Sequence, residues 1–299
     1  MGAPCGVLVV DKPRGPTSHD VVARVRRALR TKAAGHAGTL DPMASGVLVV
    51  AVGEATKLVA YLTAADKTYE ATLALGVATA TLDADGDVKG RVPVPDDWLA
   101  RIDAALAAER ARTTQIPPAF SAIQTGGVRA YDRARRGEAV DLAARPVRVV
   151  DLAVTAARTD PPALDLVVTA AKGYYVRALA RDLAAALGTA GHLTALRRTR
   201  SGAFAIDDAA PLDAPDLASR LVPLADAARR ALPACRLTPR GVEDARAGRP
   251  IADTDADPVA PGPHAWLDTA GDLIAIGEIA ADGRLRVLRG IVPDRAPTS

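Results

Sequence analysis

One stretch of twelve residues constrains this chain more than any other: residues 35–46, with the sequence GHAGTLDPMASG. Glycines at positions 35, 38 and 46 permit backbone conformations that a side chain would block, and the Asp41–Pro42 pair is typical of a turn. The apolar run 47–52 (VLVVAV) follows directly and predicts a buried strand. We therefore expect a sharply bent loop that is fixed against a sheet and presents the carboxylate of Asp41.

The Asp41 carboxylate has two interpretations. In an Asp-Pro turn the carboxylate often accepts a hydrogen bond from a nearby backbone amide, and composition alone favours this structural role. The alternative is an acid presented to a ligand, since loops that a rigid scaffold holds in place commonly carry functional groups.

Length and charge limit the classes of protein that this chain can belong to. Its 299 residues predict a large domain followed by a small one. The net charge of +3 permits a nucleic-acid partner without requiring one. Cys5 and Cys235 are too few and too far apart for a disulfide framework or a zinc site, and no apolar stretch approaches the ~20 residues of a membrane span. We therefore expect a cytoplasmic protein without a membrane segment.

Periodic patterns predict a strand at 6–10 and then a helix that begins with a capping box formed by Thr17 and Asp20. Four arginines, Arg24, Arg26, Arg27 and Arg30, lie mostly on the outer face of that helix. This basic face is either an ordinary solvated surface or a contact for phosphate.

The patterns also predict the following elements further along the chain: a helix over 55–65, a strand over 67–76, a helix over 98–111 with Leu99, Ile102 and Leu106 inside, an irregular segment over 116–137, a bulged strand near 150–151, a hairpin turn at 160–162, a helix that stops at Gly188, one or two helices over 212–231, a Pro-rich loop over 258–263, and strands at 273–279 and 285–288. The irregular segment is rich in arginine and glycine. Its glycines predict mobility and its arginines give it positive charge, and these features alone are also compatible with a plain surface hairpin.

The sequence KGYYVR at 172–177 carries two tyrosines and an arginine between a predicted strand and a predicted helix. If Tyr175 and Arg177 lie in extended backbone, they project to the same side, whereas a helix start at this point would change that relation. Arg177 then either faces solvent or pairs with a carboxylate on a neighbouring loop. Asp41 is the natural candidate for that carboxylate.

Three motifs together resemble those of the TruB-type tRNA pseudouridine-55 synthases. They are residues 35–48 with GEATK at 53–57, the KGxYxR spacing at 172–177, and GHLTALRRTRSG at 191–202. The resemblance implies an α+β fold: a mixed β-sheet pseudouridine-synthase catalytic domain with an inserted RNA-binding loop, plus a small β-rich PUA-like C-terminal domain. We place these domains at 1–230 and 231–299. Ala80 departs from the acidic or polar residue common in the family, and we assign it no role.

The same resemblance implies roles for individual residues. Asp41 would be the essential carboxylate acting on a flipped-out uridine, Tyr175 would assist proton loss from C5, and Arg177 would hold and orient Asp41. The implied substrate-binding residues are Tyr69, which would stack on the uracil, Leu196, which would pack against it, His36, which would fill the space vacated by flipping, Lys12, which would support the loop, and Lys172. The substrate would be the T-loop uridine at position 55 of a tRNA.

The implied reaction breaks the bond between the sugar C1′ and the base N1 and rejoins the uracil through C5. It needs no redox change, energy source or metal, so we expect no cofactor and no metal site. The carboxylate can attack the sugar, attack the base or remove a sugar proton, and the sequence does not decide among these routes. We expect a monomer that binds the T-stem-loop of tRNA without an obligate protein partner.

Two other classes of function remain open. A noncatalytic RNA-binding or chaperone module is disfavoured, because binding a polyanion does not require a presented carboxylate. A hydrolase is weaker still, since a glycosidase ordinarily needs a second placed carboxylate and no Gly-x-Ser-x-Gly, phosphate-loop or His-Glu-x-x-His pattern occurs.

Overall fold

The computed structural model describes residues 3–121, 123–125, 128–138, 141–257, 259–280 and 283–292. The chain forms two compact units. Unit 1 comprises Met1–Leu40, Val47–Ala65 and Ser201–Ser299, and unit 2 comprises Asp41–Gly46 and Asp66–Arg200. The fold is of the mixed α and β kind with a mixed sheet, as predicted. The predicted domain boundary after residue 230 stays a prediction.

The strands of the described residues are, in chain order, β1 (Gly6–Lys12), β2 (Ala34–His36), β3 (Ser45–Val52), β4 (Lys67–Leu75), β5 (Val77–Thr79), β6 (Val88–Arg91), β7 (Thr114–Gln115), β8 (Gln124–Thr125), β9 (Val128–Arg129), β10 (Arg145–Pro146), β11 (Val149–Thr159), β12 (Pro162–Ala170), β13 (Gly191–Ser201), β14 (Phe204–Ala205), β15 (Ala210–Pro211), β16 (Ala234–Arg236), β17 (Gly262–Leu267), β18 (Leu273–Ile279) and β19 (Leu285–Gly290).

The α-helices of the described residues are α1 (Ser18–Ala28), α2 (Val59–Ala64), α3 (Ile102–Arg110), α4 (Ala130–Arg135), α5 (Val176–Ala186), α6 (Leu224–Ala231) and α7 (Pro239–Arg246). Short 3-10 helices at Gly53–Leu58 and Trp98–Arg101 lead into α2 and α3. None of the helices in the described parts of the chain has both the length and the apolar composition needed to cross a membrane.

Unit 1 is built on the apolar strands that the sequence predicted. Strand β1 pairs in parallel with β15, and β2 pairs antiparallel with β3. Residues Val47–Val52 of β3 are each at most 1% exposed, which confirms the predicted buried strand. Helix α1 begins at the predicted capping box: Thr17 Oγ1 accepts from the Asp20 amide at 3.1 Å, and the Asp20 carboxylate accepts from the Thr17 amide at 2.9 Å.

A second sheet in unit 1 has the strand order β16-β17-β18-β19. The predicted strand at 273–279 is confirmed, and the one predicted at 285–288 continues to Gly290. The Pro-rich loop predicted over 258–263 is wrong at its end, because Gly262 and Pro263 begin β17, where Pro263 pairs with Glu278. A PUA-like character for this region stays a prediction.

Unit 2 has the strand order β11-β12-β4-β13. Strands β11 and β12 form the predicted antiparallel hairpin, and a register shift between Val149 and Asp151 confirms the predicted bulge. Strand β12 then pairs antiparallel with β4. Helix α5 contributes Leu179 and Leu183 to the buried side chains of this unit.

Two predicted features of the helices are wrong. Leu99 is 45% exposed whereas Trp98 is 4% exposed, because Trp98–Arg101 is a 3-10 helix whose tighter turn starts the buried face one residue earlier. Of the one or two helices predicted over 212–231, only α6 is present, from residue 224. Pro215 and Pro223 explain this, since proline lacks the amide hydrogen that a helix interior uses.

The segment over 116–137 contains the antiparallel pair β8 and β9 followed by α4. Residues 122, 126 and 127 and the side chains of Arg129 and Arg135 lie outside the described residues. At its far end Glu138 accepts from Arg133 at 2.8 Å and from Arg136 at 2.7 Å. An RNA-binding role for this segment stays a prediction.

Lys67 is a buried cation at the start of β4, where it is 6% exposed. Burial lowers the pKa of its ammonium group from 10.5 to about 8; the positive charges of Arg198 and Lys172 act in the same direction, and Asp66 opposes them. The uncharged form of Lys67 is therefore favoured in the folded chain at alkaline pH.

This shift predicts a rise in stability above pH 8. Between pH 8 and 10 the unfolded chain keeps a proton that folded Lys67 has released, so the free energy of unfolding increases with pH, by roughly 2 kcal/mol from this group. Urea unfolding at pH 7, 8, 9 and 10 should show a smaller rise for Lys67→Met than for wild type. The exposed Lys89→Met variant is the control, and parallel curves for Lys67→Met and wild type would contradict the assignment.

Gly46 predicts a second effect on stability, at the end of the loop that contains Asp41. It pairs with Arg198 of β13, has a φ of +99°, and a Cβ atom there would lie 2.2 Å from the Arg198 carbonyl oxygen. We expect Gly46→Ala to lower the free energy of unfolding by roughly 2–4 kcal/mol, measured by urea denaturation. Gly35→Ala, which would meet nothing within 4 Å, should change it by less than about 1 kcal/mol. Equal losses of stability in the two variants would show that the close contact between position 46 and the Arg198 carbonyl does not determine the effect.

Candidate active site

Asp41 lies at the start of a short turn in which its carbonyl accepts from the Ala44 amide at 3.1 Å. The preceding residue, Leu40, is held at both backbone groups by Ser18 Oγ, which accepts from the Leu40 amide at 2.8 Å and donates to its carbonyl at 3.0 Å. Ser18 is 1% exposed, so this hydroxyl fixes the backbone just before the carboxylate. The Asp41 side chain itself is 36% exposed, which leaves it accessible to a ligand.

Arg177 is the partner of Asp41. Its Nε atom lies 2.8 Å from Asp41 Oδ2, so the predicted ion pair is present. The same guanidinium donates from Nη1 to the Thr81 carbonyl and from Nη2 to the Phe120 carbonyl, each at 2.9 Å. Because Arg177 is 5% exposed and is bound on three sides, its orientation is fixed, and the Asp41 carboxylate is fixed with it.

A second carboxylate, that of Asp83, lies near the guanidinium of Arg177. Its Oδ2 atom is 3.8 Å from Arg177 Nε, and the residue is 5% exposed. Its Oδ1 atom accepts from the Thr81 hydroxyl and, at 3.1 Å, from the Asp85 amide. The sequence analysis gave Asp83 no role and missed this contact; the polar side chains at 79, 81 and 83, spaced for local turn hydrogen bonds, were the available signal.

Tyr175 immediately precedes α5, and Arg177 lies in the first turn of that helix. Of the two arrangements left open for Tyr175 and Arg177, the helix start is the one present, because α5 begins at Val176. The backbone of Tyr175 is held by the side chain of Gln115, which accepts from its amide at 2.9 Å and donates to its carbonyl at 3.3 Å. Sequence reasoning also missed Gln115, which is 2% exposed.

The phenol of Tyr175 lies within electrostatic range of the ion pair. Burial raises its pKa, the charges of Arg145 and Arg177 lower it in part, and the negative charge of Asp41 raises it. The phenol therefore keeps its proton at neutral pH.

The neighbouring Tyr174 holds the start of α5 through a hydrogen bond of its hydroxyl. Its hydroxyl donates to Glu109 Oε1 at 2.8 Å, and Glu109 Oε2 accepts from Arg112 Nε at 2.6 Å. Burial and the Glu109 charge raise the pKa of Tyr174 far above its ordinary value. The bond to Glu109 ties the chain just before Tyr175 to α3.

Three of the other predicted residues lie on two strands and the connection before α5. Tyr69 of β4 is half-buried, and the guanidinium carbon of Arg198 lies 6.0 Å from its ring centroid. Leu196 is 7% exposed and precedes Arg198 by two residues on β13, so both side chains project to the same face. Lys172 is exposed, and its charge acts on Lys67.

The last two predicted residues, His36 and Lys12, belong to unit 1. The ring of His36 lies 5.2 Å from that of His19 in an edge-to-face arrangement. Lys12 is fully buried, and its ammonium donates to the Pro13 carbonyl at 2.9 Å. A residue with no exposed surface fits the predicted supporting role better than direct contact with a substrate, and both roles stay predictions.

The arrangement offers one accessible acid on a fixed turn, a buried cation that orients it, and a neutral phenol beside them. These groups are suited to proton transfer or nucleophilic attack by a single carboxylate. The half-buried face of Tyr69 can accept a flat ring by stacking.

Comparison with known proteins identifies the family of this chain. Residues 26–176 match the model of the TruB family pseudouridylate synthase (N terminal domain), and residues 177–234 match that of the tRNA pseudouridylate synthase B C-terminal domain. A protein of Mycobacterium sp. (strain KMS) named tRNA pseudouridine synthase B is 49% identical over 276 residues, which cover 91% of this chain and 92% of that protein. A protein of the same name from Nocardia farcinica (strain IFM 10152) is 50% identical over 91% of this chain and 89% of its own.

Solved structures show the same fold. A chain in the crystal structure of a Cbf5-Nop10-Gar1 complex is 26% identical with a TM-score of 0.76, and the match covers 98% of this chain and 87% of that one. A chain of an H/ACA RNP bound to a substrate RNA containing 2′-deoxyuridine is 25% identical with a TM-score of 0.72, covering 98% and 86%. On the length and identity of these matches, the chain belongs to the TruB family of pseudouridylate synthases, which are isomerases.

Proposed function

We propose that this chain converts the T-loop uridine at position 55 of tRNA to pseudouridine, with Asp41 as the essential carboxylate. Family membership and relatives named tRNA pseudouridine synthase B support the reaction and the tRNA substrate. The observation that carries the assignment of Asp41 is its geometry: a carboxylate that is 36% exposed is paired at 2.8 Å with a buried arginine.

The reaction rearranges one nucleotide. The C1′–N1 bond breaks, the uracil turns, and C1′ bonds to C5; C5 then loses its proton and N1 gains one, so atoms and electrons balance. The uridine must first leave its stack, at a cost of a few kcal/mol. Stacking on the ring of Tyr69, worth roughly 1–3 kcal/mol, and packing against Leu196 offset that cost.

Arg177 acts by positioning Asp41. Its Nε contact occupies one carboxylate oxygen, and its bonds to the carbonyls of Thr81 and Phe120 prevent the guanidinium from following the acid into solvent. Fixing the reacting group in this way lowers the barrier, because the orientation is established before the substrate arrives.

Tyr175 assists the final proton loss from C5. Because its pKa is raised, the group beside Asp41 is a neutral phenol rather than a phenolate. It therefore works by hydrogen bonding or by relaying a proton as it accepts one.

The proposal also gives roles to three further residues and an oligomeric state to the chain. His36 fills the space left by the flipped nucleotide, Lys12 supports the loop, and Lys172 contacts the RNA. The chain acts as a monomer on the T-stem-loop in the cytoplasm, without an obligate protein partner. Light scattering of the purified chain at micromolar concentration tests the monomer.

A noncatalytic RNA chaperone is the second candidate. It is less well supported, because a polyanion gains nothing from a fixed carboxylate at its binding site. The two activities can coexist in one chain, so the experiments below separate chemistry from binding.

The direct test of the proposed function is pseudouridine mapping of tRNA from cells that lack this protein. We expect loss of pseudouridine at position 55 of the T loop and its return on complementation. An unchanged map would remove the proposed substrate site.

Asp41→Asn should abolish product formation while leaving tRNA bound. Asparagine keeps the size of the side chain but neither attacks nor takes a proton, so we expect a fall in single-turnover rate of at least ~10³-fold. Tritium release from labelled tRNA measures the rate, and filter binding measures the affinity, which should stay within about threefold. A rate near wild type would remove Asp41 from the mechanism.

Tyr175→Phe should slow the chemical step more than it weakens binding, since only the hydroxyl is lost. We expect a rate decrease of roughly 10–100-fold with tRNA affinity nearly unchanged. Equal losses in rate and affinity would indicate that Tyr175 has only a structural role.

Asp83→Asn tests the second carboxylate. The amide oxygen can still accept from Thr81 and Asp85, but the negative charge beside Arg177 is lost, so the guanidinium is held less firmly. We expect the rate to fall by at most about 10-fold, with unchanged affinity for tRNA. The exposed neighbour Asp85→Asn is the matched control; if both variants react alike, Asp83 does not position Arg177.

A further inference from the structure

The surface of residues 14–32, which contains α1, carries far more positive charge than the rest of the chain. This segment holds six basic residues and one acidic residue, a net charge of +5, whereas the whole chain carries +3. The remainder of the chain therefore sums to −2. This segment alone therefore carries more net positive charge than the whole chain.

The charges on this surface are largely uncompensated. Arg24, Arg27 and Arg30 are exposed, and within the described residues they form no ion pair with a carboxylate. The acidic residue, Asp20, influences Arg24 electrostatically, but its carboxylate is bonded to Thr17 at the capping box.

Several exposed arginines elsewhere in unit 1 are paired with nearby acids. Arg220 pairs with Asp216 and Arg229 with Asp226, at 2.9 and 2.8 Å. Arg24, Arg27 and Arg30 thus differ from these paired surface arginines.

The conformation of Arg30 adds an independent observation. It has a φ of +51°, the left-handed conformation that follows many helices and that glycine adopts most easily. The Thr31 amide donates to the Arg26 carbonyl at 3.0 Å, which closes the helix end in the way such a residue requires. An arginine at this position is less favourable to the fold than a glycine, so the backbone conformation gives no folding reason for an arginine here.

The position of this surface relates it to the site. The helix that carries it begins at Ser18, whose hydroxyl holds both backbone groups of Leu40, the residue before Asp41. On a helix, residues three apart lie about 5–6 Å from each other at Cβ, so Arg24 and Arg27 form a compact pair of like charges. A row of phosphates relieves their repulsion.

We propose that the exposed arginines Arg24, Arg27 and Arg30 bind the phosphate backbone of the RNA substrate, and that α1 thereby connects backbone binding to the root of the Asp41 loop. The proposal rests on the proposed function for the identity of the RNA. Arg26 is not included, because its guanidinium donates to the Ala34 carbonyl at 2.6 Å and serves the fold.

The experiment measures the salt dependence of tRNA binding, with Asp41→Asn as the background so that no product forms. Each phosphate contact contributes a slope of about −0.9 to the plot of log affinity against log salt concentration. We expect Arg24→Gln/Arg27→Gln to reduce the slope by about 2 and to weaken binding roughly tenfold or more at moderate salt. Arg220→Gln, which removes an exposed but paired arginine, should leave both unchanged.

Arg30→Gly separates binding from folding. We expect a higher melting temperature, because glycine adopts the left-handed conformation freely, together with weaker tRNA binding. A protein that is more stable yet binds less well excludes misfolding as the cause.

Two outcomes would overturn the proposal: an unchanged salt slope in the double variant, or an equal reduction in Arg220→Gln. Pseudouridine formation by wild type is measured in parallel. If product forms at position 55 and the slopes do not change, this inference fails alone; if the slopes change and no product forms, the proposed function fails instead.

Discussion

The contact between Arg177 and Asp41 is the interaction on which the site depends. An arginine that is 5% exposed is costly to bury unless its donors are satisfied, and here they meet two backbone carbonyls and a carboxylate at 2.8–2.9 Å. Those three contacts together allow the guanidinium only one orientation. Because Asp41 is the more exposed partner, the buried arginine determines where the acid points and not the reverse.

The surrounding elements serve to fix the two ends of this pair. On the acid side, Ser18 holds Leu40, and Gly46 permits the close approach of the chain to Arg198. On the arginine side, Gln115 holds the backbone of Tyr175, and Arg177 lies in the first turn of α5. Asp83 adds a negative charge 3.8 Å from the Arg177 Nε atom. The site therefore combines an accessible group with rigid support, which favours chemistry at a single carboxylate over simple binding of a polyanion.

Local patterns predicted the elements that local forces decide. The capping box of α1, the strand after the loop, the bulge near Val149 and the hairpin that follows were readable because each depends on neighbouring residues. The pairing of Asp41 with Arg177 was also predicted, although from motif resemblance and not from periodicity. Asp83 and Gln115 escaped prediction because their partners lie far along the chain, and no periodic pattern records such contacts. The strand at Gly262 was missed because proline at a strand start is tolerated and still resembles a loop.

The most direct measurement of this account is the single-turnover rate of pseudouridine formation by Arg177→Lys at saturating tRNA. Lysine keeps the positive charge, but a single ammonium cannot hold Asp41 Oδ2 together with the carbonyls of Thr81 and Phe120 in the planar geometry of a guanidinium. We predict a rate at least ~10²-fold lower with tRNA affinity within about threefold of wild type. A rate close to wild type would show that charge alone suffices, and it would contradict the claim that a fixed guanidinium positions the acid.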